Sequence, residues 1–291
     1  MAISEKQAEQ RSLRQKERAE ARQQSRAPRK EGQPRKDRVR TAPEGVLPEL
    51  WINPRPLISK SLGIAVVWSP KSGCSFVSKW FFQQLGIELD GWIHLQRRPF
   101  QSSPESVESA IAFSNDNKTF RKMRVARNPY DRAVSSYLHY LALSGRNSSM
   151  QRDREIVFHN RDSLSFREFI TDLLATDVDL VNVHWRPQTQ PAEKAGYFDD
   201  ATIIQLEQSM TEIPKFEKAA GLETVDLSAL RSSHHDSSSD EKLEEFVGDS
   251  SFSGDVRKQS PDYELFYDRA LLDAVEELYH EDFERFGYPT R

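Results

Sequence analysis

Cysteine is almost missing from this chain: Cys74 stands alone among 291 residues. One thiol cannot close an intrachain disulfide, and no cysteine cluster exists to hold a metal centre. A reducing cytoplasm suits such a chain. Long apolar runs are missing too. The run Ile64–Trp68 falls far short of the roughly 20 apolar residues that a membrane-spanning helix needs. No secretory signal pattern is present, so no transmembrane segment is expected.

Large apolar side chains are scarce in the leading segment. Met1–Glu44 holds 13 lysines and arginines against 7 acids, a balance of +6 that leaves −10 for the rest of a chain whose net charge is −4. After Met1 it offers only Ile3, Leu13 and Val39, too little apolar surface to offset the entropy of ordering it. Residues 1–45 are therefore expected to form a disordered basic tail before one folded domain, 46–291. A solvated tail is favoured over a nucleic-acid or membrane-surface arm, so no nucleic-acid partner is expected.

What is there begins with Gly63–Leu85. Ile64–Trp68 is apolar and β-branched, which predicts a strand buried on both faces. Phe76, Val77, Trp80, Phe81 and Leu85 follow at helical spacing. Between them lies a polar turn: Ser69, Pro70, Lys71, Ser72, Gly73, Cys74 and Ser75. A strand, a small-residue loop and a helix make a phosphate cradle, because N–H groups at a helix start lack intrahelical partners and face the anion. Lys71 adds a full charge, Ser72 and Ser75 add hydroxyls, and Gly73 permits close approach. The Walker order is absent, since the lysine precedes the glycine. An ordinary strand–turn–helix explains the stretch almost as well.

Pro104 is expected to open a helix through Phe113, and Asn115–Asn117 a turn. Lys122–Ala126 then reads as a second buried strand leading into Arg127-Asn128-Pro129-Tyr130-Asp131-Arg132-Ala133-Val134-Ser135-Ser136-Tyr137. Asn128 as N-cap, Pro129 at the first helical position and Asp131 in the first turn are helix grammar. Tyr130, Val134, Tyr137, Leu138 and Leu141 form the expected buried stripe. Arg127 and Ser135 are not explained by that grammar. At a strand's carboxyl end and on the helix after it, they can clamp a second phosphate, the arginine in a bidentate contact.

Further on, helices are expected at Phe166–Leu174 and up to Gly221, the latter opened or tightened by Pro214. Thr202–Leu206 reads as another buried strand, and Ser232–Asp240, with His234 and His235, as a polar surface loop. Leu271, Leu272, Val275, Leu278, Tyr279 and Phe283 give the last helix an apolar face. No carboxylate or histidine set with ligand spacing suggests a metal.

The Pro-Lys-x-Gly-Cys-Ser loop, the Arg127–Tyr137 motif, His184-Trp185-Arg186-Pro187 and Glu281–Tyr288 occur in the order found in the sulfotransferases. Within them, the chain most resembles the carbohydrate sulfotransferase branch, over roughly Trp51–Tyr288. The resemblance implies a single P-loop-like α/β domain with a mostly parallel sheet flanked by helices. It implies 3′-phosphoadenosine 5′-phosphosulfate as donor and no metal. Ser69–Ser75 would wrap the 5′-phosphosulfate, and Arg127 and Ser135 would hold the 3′-phosphate. Lys71 would stabilise charge on the leaving oxygen. The acceptor would be a carbohydrate or glycoconjugate hydroxyl. Golgi members of the branch carry a membrane anchor, and this chain shows none, so the expected enzyme is cytoplasmic and bacterial.

The acceptor needs a base. His184, in the polar stretch Asn182–Gln190, is the first candidate and His94 the second; both also read as structural histidines. Departing from the family, Ile204-Gln205-Leu206-Glu207 places its acid after the leucine. Two other functions stay open: a P-loop kinase using ATP and Mg²⁺, and a non-catalytic nucleotide-binding scaffold.

Overall fold

Four strands order the chain. The computed structural model describes residues 41–88, 92–143, 148–161, 163–177, 181–230, 245–252 and 262–291. Most of the expected tail, and His234 and His235, lie outside them. In chain order the described elements are β1 (Leu57–Ser59), β2 (Ile64–Trp68), α1 (Cys74–Gln84), α2 (Ile93–Phe100), α3 (Pro104–Asn115), β3 (Arg121–Ala126) and α4 (Pro129–Leu143). There follow α5 (Ser148–Ile156), α6 (Phe166–Leu174), α7 (Pro191–Lys194), β4 (Thr202–Gln205), α8 (Ser209–Ala220), α9 (Leu227–Leu230), α10 (Arg269–Leu278) and α11 (His280–Phe286). No described helix is long and apolar enough to cross a membrane.

The sheet runs β1-β2-β3-β4. β1 is antiparallel to β2, while β2–β3 and β3–β4 are parallel. This is the α/β fold with a mostly parallel, helix-flanked sheet. β2 is buried along its whole length, and its alternating side chains feed two cores. Ile64, Val66 and Trp68 meet α1 residues Val77, Trp80 and Phe81. Ala65 and Val67 meet α3 residues Ala110 and Phe113 on the other face. A third core joins α4, α6, α10 and α11 around Tyr137, Phe169, Val275 and Phe283.

One strand was not anticipated and three local expectations change. β1 has no strand-like run in the sequence; three residues beside prolines and an arginine carry too little pattern. The strand expected to be buried at Thr202–Leu206 ends at Gln205, with Thr202 and Ile203 exposed. It pairs on one side only, so only Ile204 goes into the core. Pro214 lies inside α8 rather than at its start. The last helix is two: Tyr279 leaves helical geometry at φ −121° and ψ 26° and divides α10 from α11.

Parallel pairing is what assembles the site. The register places Trp68 opposite Val125, so the loops leaving β2 and β3 emerge side by side at the carboxyl edge, where open α/β sheets bind ligands.

Candidate active site

The loop after β2 is wound tightly. Ser72 N–H donates to the Ser69 carbonyl at 3.2 Å. Lys71 adopts φ 69° and Gly73 φ 77°, both left-handed. A Cβ at Gly73 would also stand 2.5 Å from Cδ1 of Leu206, so that side chain would have to move. Gly73 caps α1, whose first intrahelical bond runs from Val77 N–H to the Gly73 carbonyl at 2.9 Å. The N–H groups of Cys74, Ser75 and Phe76 thus head the helix, at its positive end.

Not every serine of the cradle faces outward. Ser69 and Ser72 are fully buried. Their hydroxyls meet each other at 2.8 Å and reach Oε1 of Gln188 at 3.3 and 2.6 Å. Their hydroxyls hold the loop to its support. Ser75 Oγ lies 3.3 Å from Nε2 of His94, and Cys74 is half-buried.

The loop after β3 interlocks with the first. Arg127, the residue after β3, donates from Nη1 to the Lys71 carbonyl at 3.2 Å, and its guanidinium lies 5.4 Å from the Tyr263 ring centre. Asn128 caps α4 by accepting Tyr130 N–H at 3.0 Å. Ser135 sits on α4, buried. Glu207 accepts the Asn128 N–H at 2.9 Å and the Tyr288 hydroxyl at 2.8 Å. The acid displaced in sequence thus braces the second loop.

Arg132 was one letter of a motif in the sequence; in the fold it is a fully buried strut. Its guanidinium donates to the Pro70 carbonyl at 3.1 Å and to the Arg186 carbonyl at 2.7 Å. It ties the cradle to the segment carrying His184. Ser136 Oγ donates to the His184 carbonyl at 2.8 Å.

His184 is oriented by its neighbours. Oδ1 of Asn182 accepts the backbone N–H of His184 at 3.1 Å and meets ring Nδ1 at 2.6 Å. An amide oxygen that takes one N–H requires Nδ1 to donate as well, which leaves the lone pair on Nε2. His139 stacks on the ring at 4.4 Å. Burial, then the charges of Lys71 and Arg132, push the His184 pKa down to about 3. Burial, then Arg97, Arg98 and Lys71, push His94 down to about 4. Both imidazoles are therefore neutral at pH 7, and the same lysine acts on both.

A cavity of about 370 Å³ opens beside this segment, lined by Ile52, Val183, Arg186, Pro187, Thr189 and Lys194 among others. Lys71, His94 and His184 do not line it. Oγ1 of Thr189 and Oε2 of Glu49, which also lines the cavity, are buried without a hydrogen-bond partner.

The structure thus brings Lys71, the head of α1, Arg127, His94 and His184 to one edge of the sheet. Gln188, Asn182 and the buried role of Arg132 were not singled out by sequence reasoning, and Glu207 was noted only as a displaced acid. Only the density of polar residues in Asn182–Gln190 signalled the first two. No curated protein and no solved structure matched the chain. A family model described as "Sulfotransferase family" matches residues 58–289, a span that takes in β2, β3, β4, most of β1, both loops and both histidines. The chain belongs to the sulfotransferase family.

Proposed function

We propose that the protein transfers a sulfuryl group from 3′-phosphoadenosine 5′-phosphosulfate to a hydroxyl of a carbohydrate or glycoconjugate, by in-line displacement. The observation that carries this reading is the interlock of two cationic loops on adjacent parallel strands, fastened where Arg127 meets the Lys71 carbonyl. Two anion-binding elements one strand apart suit a nucleotide charged at both its 3′ and 5′ positions, and ATP lacks the 3′ charge. The residues present fit that donor. The α1 N-terminus and Lys71 offer a site for the 5′ end, while Arg127 and Ser135 offer one for the 3′-phosphate.

When bound, the donor supplies a sulfuryl group that moves to the acceptor oxygen. The chain supplies position and charge, as in phosphoryl transfer. Lys71 meets the charge that grows on the leaving oxygen. His184 takes the acceptor proton at Nε2, while Asn182 holds the opposite nitrogen. An imidazole with a pKa of about 3 is a weak base, but anions placed among Lys71 and Arg132 cancel part of the repulsion that keeps it there. The acceptor assignment draws support from the likeness of the four sequence motifs to the carbohydrate branch of the family.

Calorimetry tests the reading. Adenosine 3′,5′-bisphosphate should bind far more tightly than 5′-AMP. Arg127→Ala should remove most of that difference, since a charge-assisted phosphate contact is worth about 2 kcal/mol, or roughly 30-fold. Equal affinities in the parent protein would rule the donor out.

A further inference from the structure

Gln188 belongs to neither loop, yet it touches both. It is fully buried, and its carboxamide is shared between them. Oε1 accepts from Ser72 Oγ at 2.6 Å, from Ser69 Oγ at 3.3 Å and from Arg127 N–H at 3.0 Å. Nε2 donates to the Arg127 carbonyl at 2.8 Å. The side chain thus pairs with both backbone groups of Arg127, as a neighbouring strand would, just where β3 has ended.

Gln188 is itself held rigidly. Its carbonyl accepts Nη2 of Arg124 at 2.6 Å and Nε2 of Gln190 at 2.7 Å. Its N–H donates to Oδ1 of Asp282 at 2.7 Å. Arg124 is in turn paired with Glu193 at 2.8 Å, both buried. A frame from β3, α7 and α11 therefore fixes one carboxamide, and that carboxamide fixes the first loop against the second.

We propose that Gln188 is a positioning residue that sets the spacing and mutual orientation of the two anion clamps, and through them the preference for a ligand phosphorylated at both ends. The inference rests on the donor reading above. Gln188 has no part in the chemistry: it is enclosed by protein, and its four carboxamide contacts are all with the two loops. Two loops on separate strands have independent freedom unless something shared ties them. A ligand that spans both clamps benefits from a fixed spacing, whereas a ligand filling one clamp does not.

The experiment measures the affinity ratio of adenosine 3′,5′-bisphosphate to 5′-AMP by calorimetry. Gln188→Met keeps the side-chain volume and removes all four bonds; the ratio should fall about tenfold. In an Arg127→Ala background the same substitution should change the ratio less than twofold, because Gln188 acts through that clamp. Ser72→Ala, which removes the 2.6 Å contact to Gln188 together with the 2.8 Å contact to Ser69, should lower the ratio severalfold, and it decides the matter alone if Gln188→Met does not fold. A ratio within twofold of the parent's in the folded variants, or full additivity with Arg127→Ala, overturns the proposal. A parent protein with no preference for the bisphosphate overturns the donor reading instead.

Discussion

His94 and His184 reach the same lysine from different directions. One rides on α2 and the other sits in the stretch before α7. Burial and cations lower both, to about 4 and about 3, so basicity does not separate them. Bonding does. His94 has Nε2 engaged with the hydroxyl of a cradle serine, and its nearest charges are Arg97, Arg98 and Lys71. His184 has Nδ1 fixed by Asn182 and its carbonyl fixed by Ser136, which leaves Nε2 to act. Two histidines with similar electrostatics thus differ in which nitrogen the fold has used. The first is fixed against the cradle, and on the proposed function the second keeps Nε2 for the acceptor proton.

Turnover should separate them most strongly. His184→Ala and Lys71→Ala should each lower kcat by roughly two orders of magnitude or more, with donor affinity little changed for the histidine variant. His94→Ala should lower kcat less than tenfold. A folded but inactive His94→Ala beside a near-normal His184→Ala would exchange their roles. Next comes the brace. Asn182→Ala frees the ring to choose either tautomer and should lower kcat about tenfold. Ser75→Ala, the matching change at His94, should alter donor affinity severalfold and leave kcat nearly unchanged.

The pH profiles sharpen the contrast further. On the proposed function activity requires neutral His184, so it should rise with pH through that pKa. Bound anions raise the pKa, so the acidic limb of kcat should lie at higher pH than that of kcat/KM. That limb should vanish in His184→Ala and persist in His94→Ala. The smallest effect is on stability. The folded pKa values lie below the ordinary 6.5, so the unfolded chain takes up protons first as pH falls. Stability should drop from about pH 6.5 downward, by at most about 1.4 kcal/mol per pH unit for each histidine. Denaturant titrations of either alanine variant should show a shallower decline.

Much of the first loop was legible because its signals are local. An apolar β-branched run, a polar turn with Gly73, and apolar residues at helical spacing fix β2, the cradle and α1 without reference to anything distant. The α4 start was legible for the same reason, from Asn128 and Pro129. What failed to show was whatever depends on neighbours. β1 is three residues recruited by the edge of β2. The exposure of Thr202 and Ile203 follows from the place of β4 in the sheet. Ser69 and Ser72 look like ligand hydroxyls until Gln188, more than a hundred residues later in the chain, is seen beneath them. The burial of Arg132 was not legible, because its acceptors are carbonyls of Pro70 and Arg186 on other segments. Hydrogen bonds to backbone leave no residue-type pattern to read.

The left-handed backbone of Lys71 has a consequence of its own. At φ 69° a residue with a Cβ carries a penalty of about 1 kcal/mol that glycine avoids. The chain keeps a lysine there, so the loop carries that bend together with the amine that the proposed reaction uses. Lys71→Gly should therefore melt at a higher temperature than the parent while losing as much turnover as Lys71→Ala, which should lack the gain. Selection for thermal robustness alone would then erode this position first, and a library screened only for folding would return it as glycine.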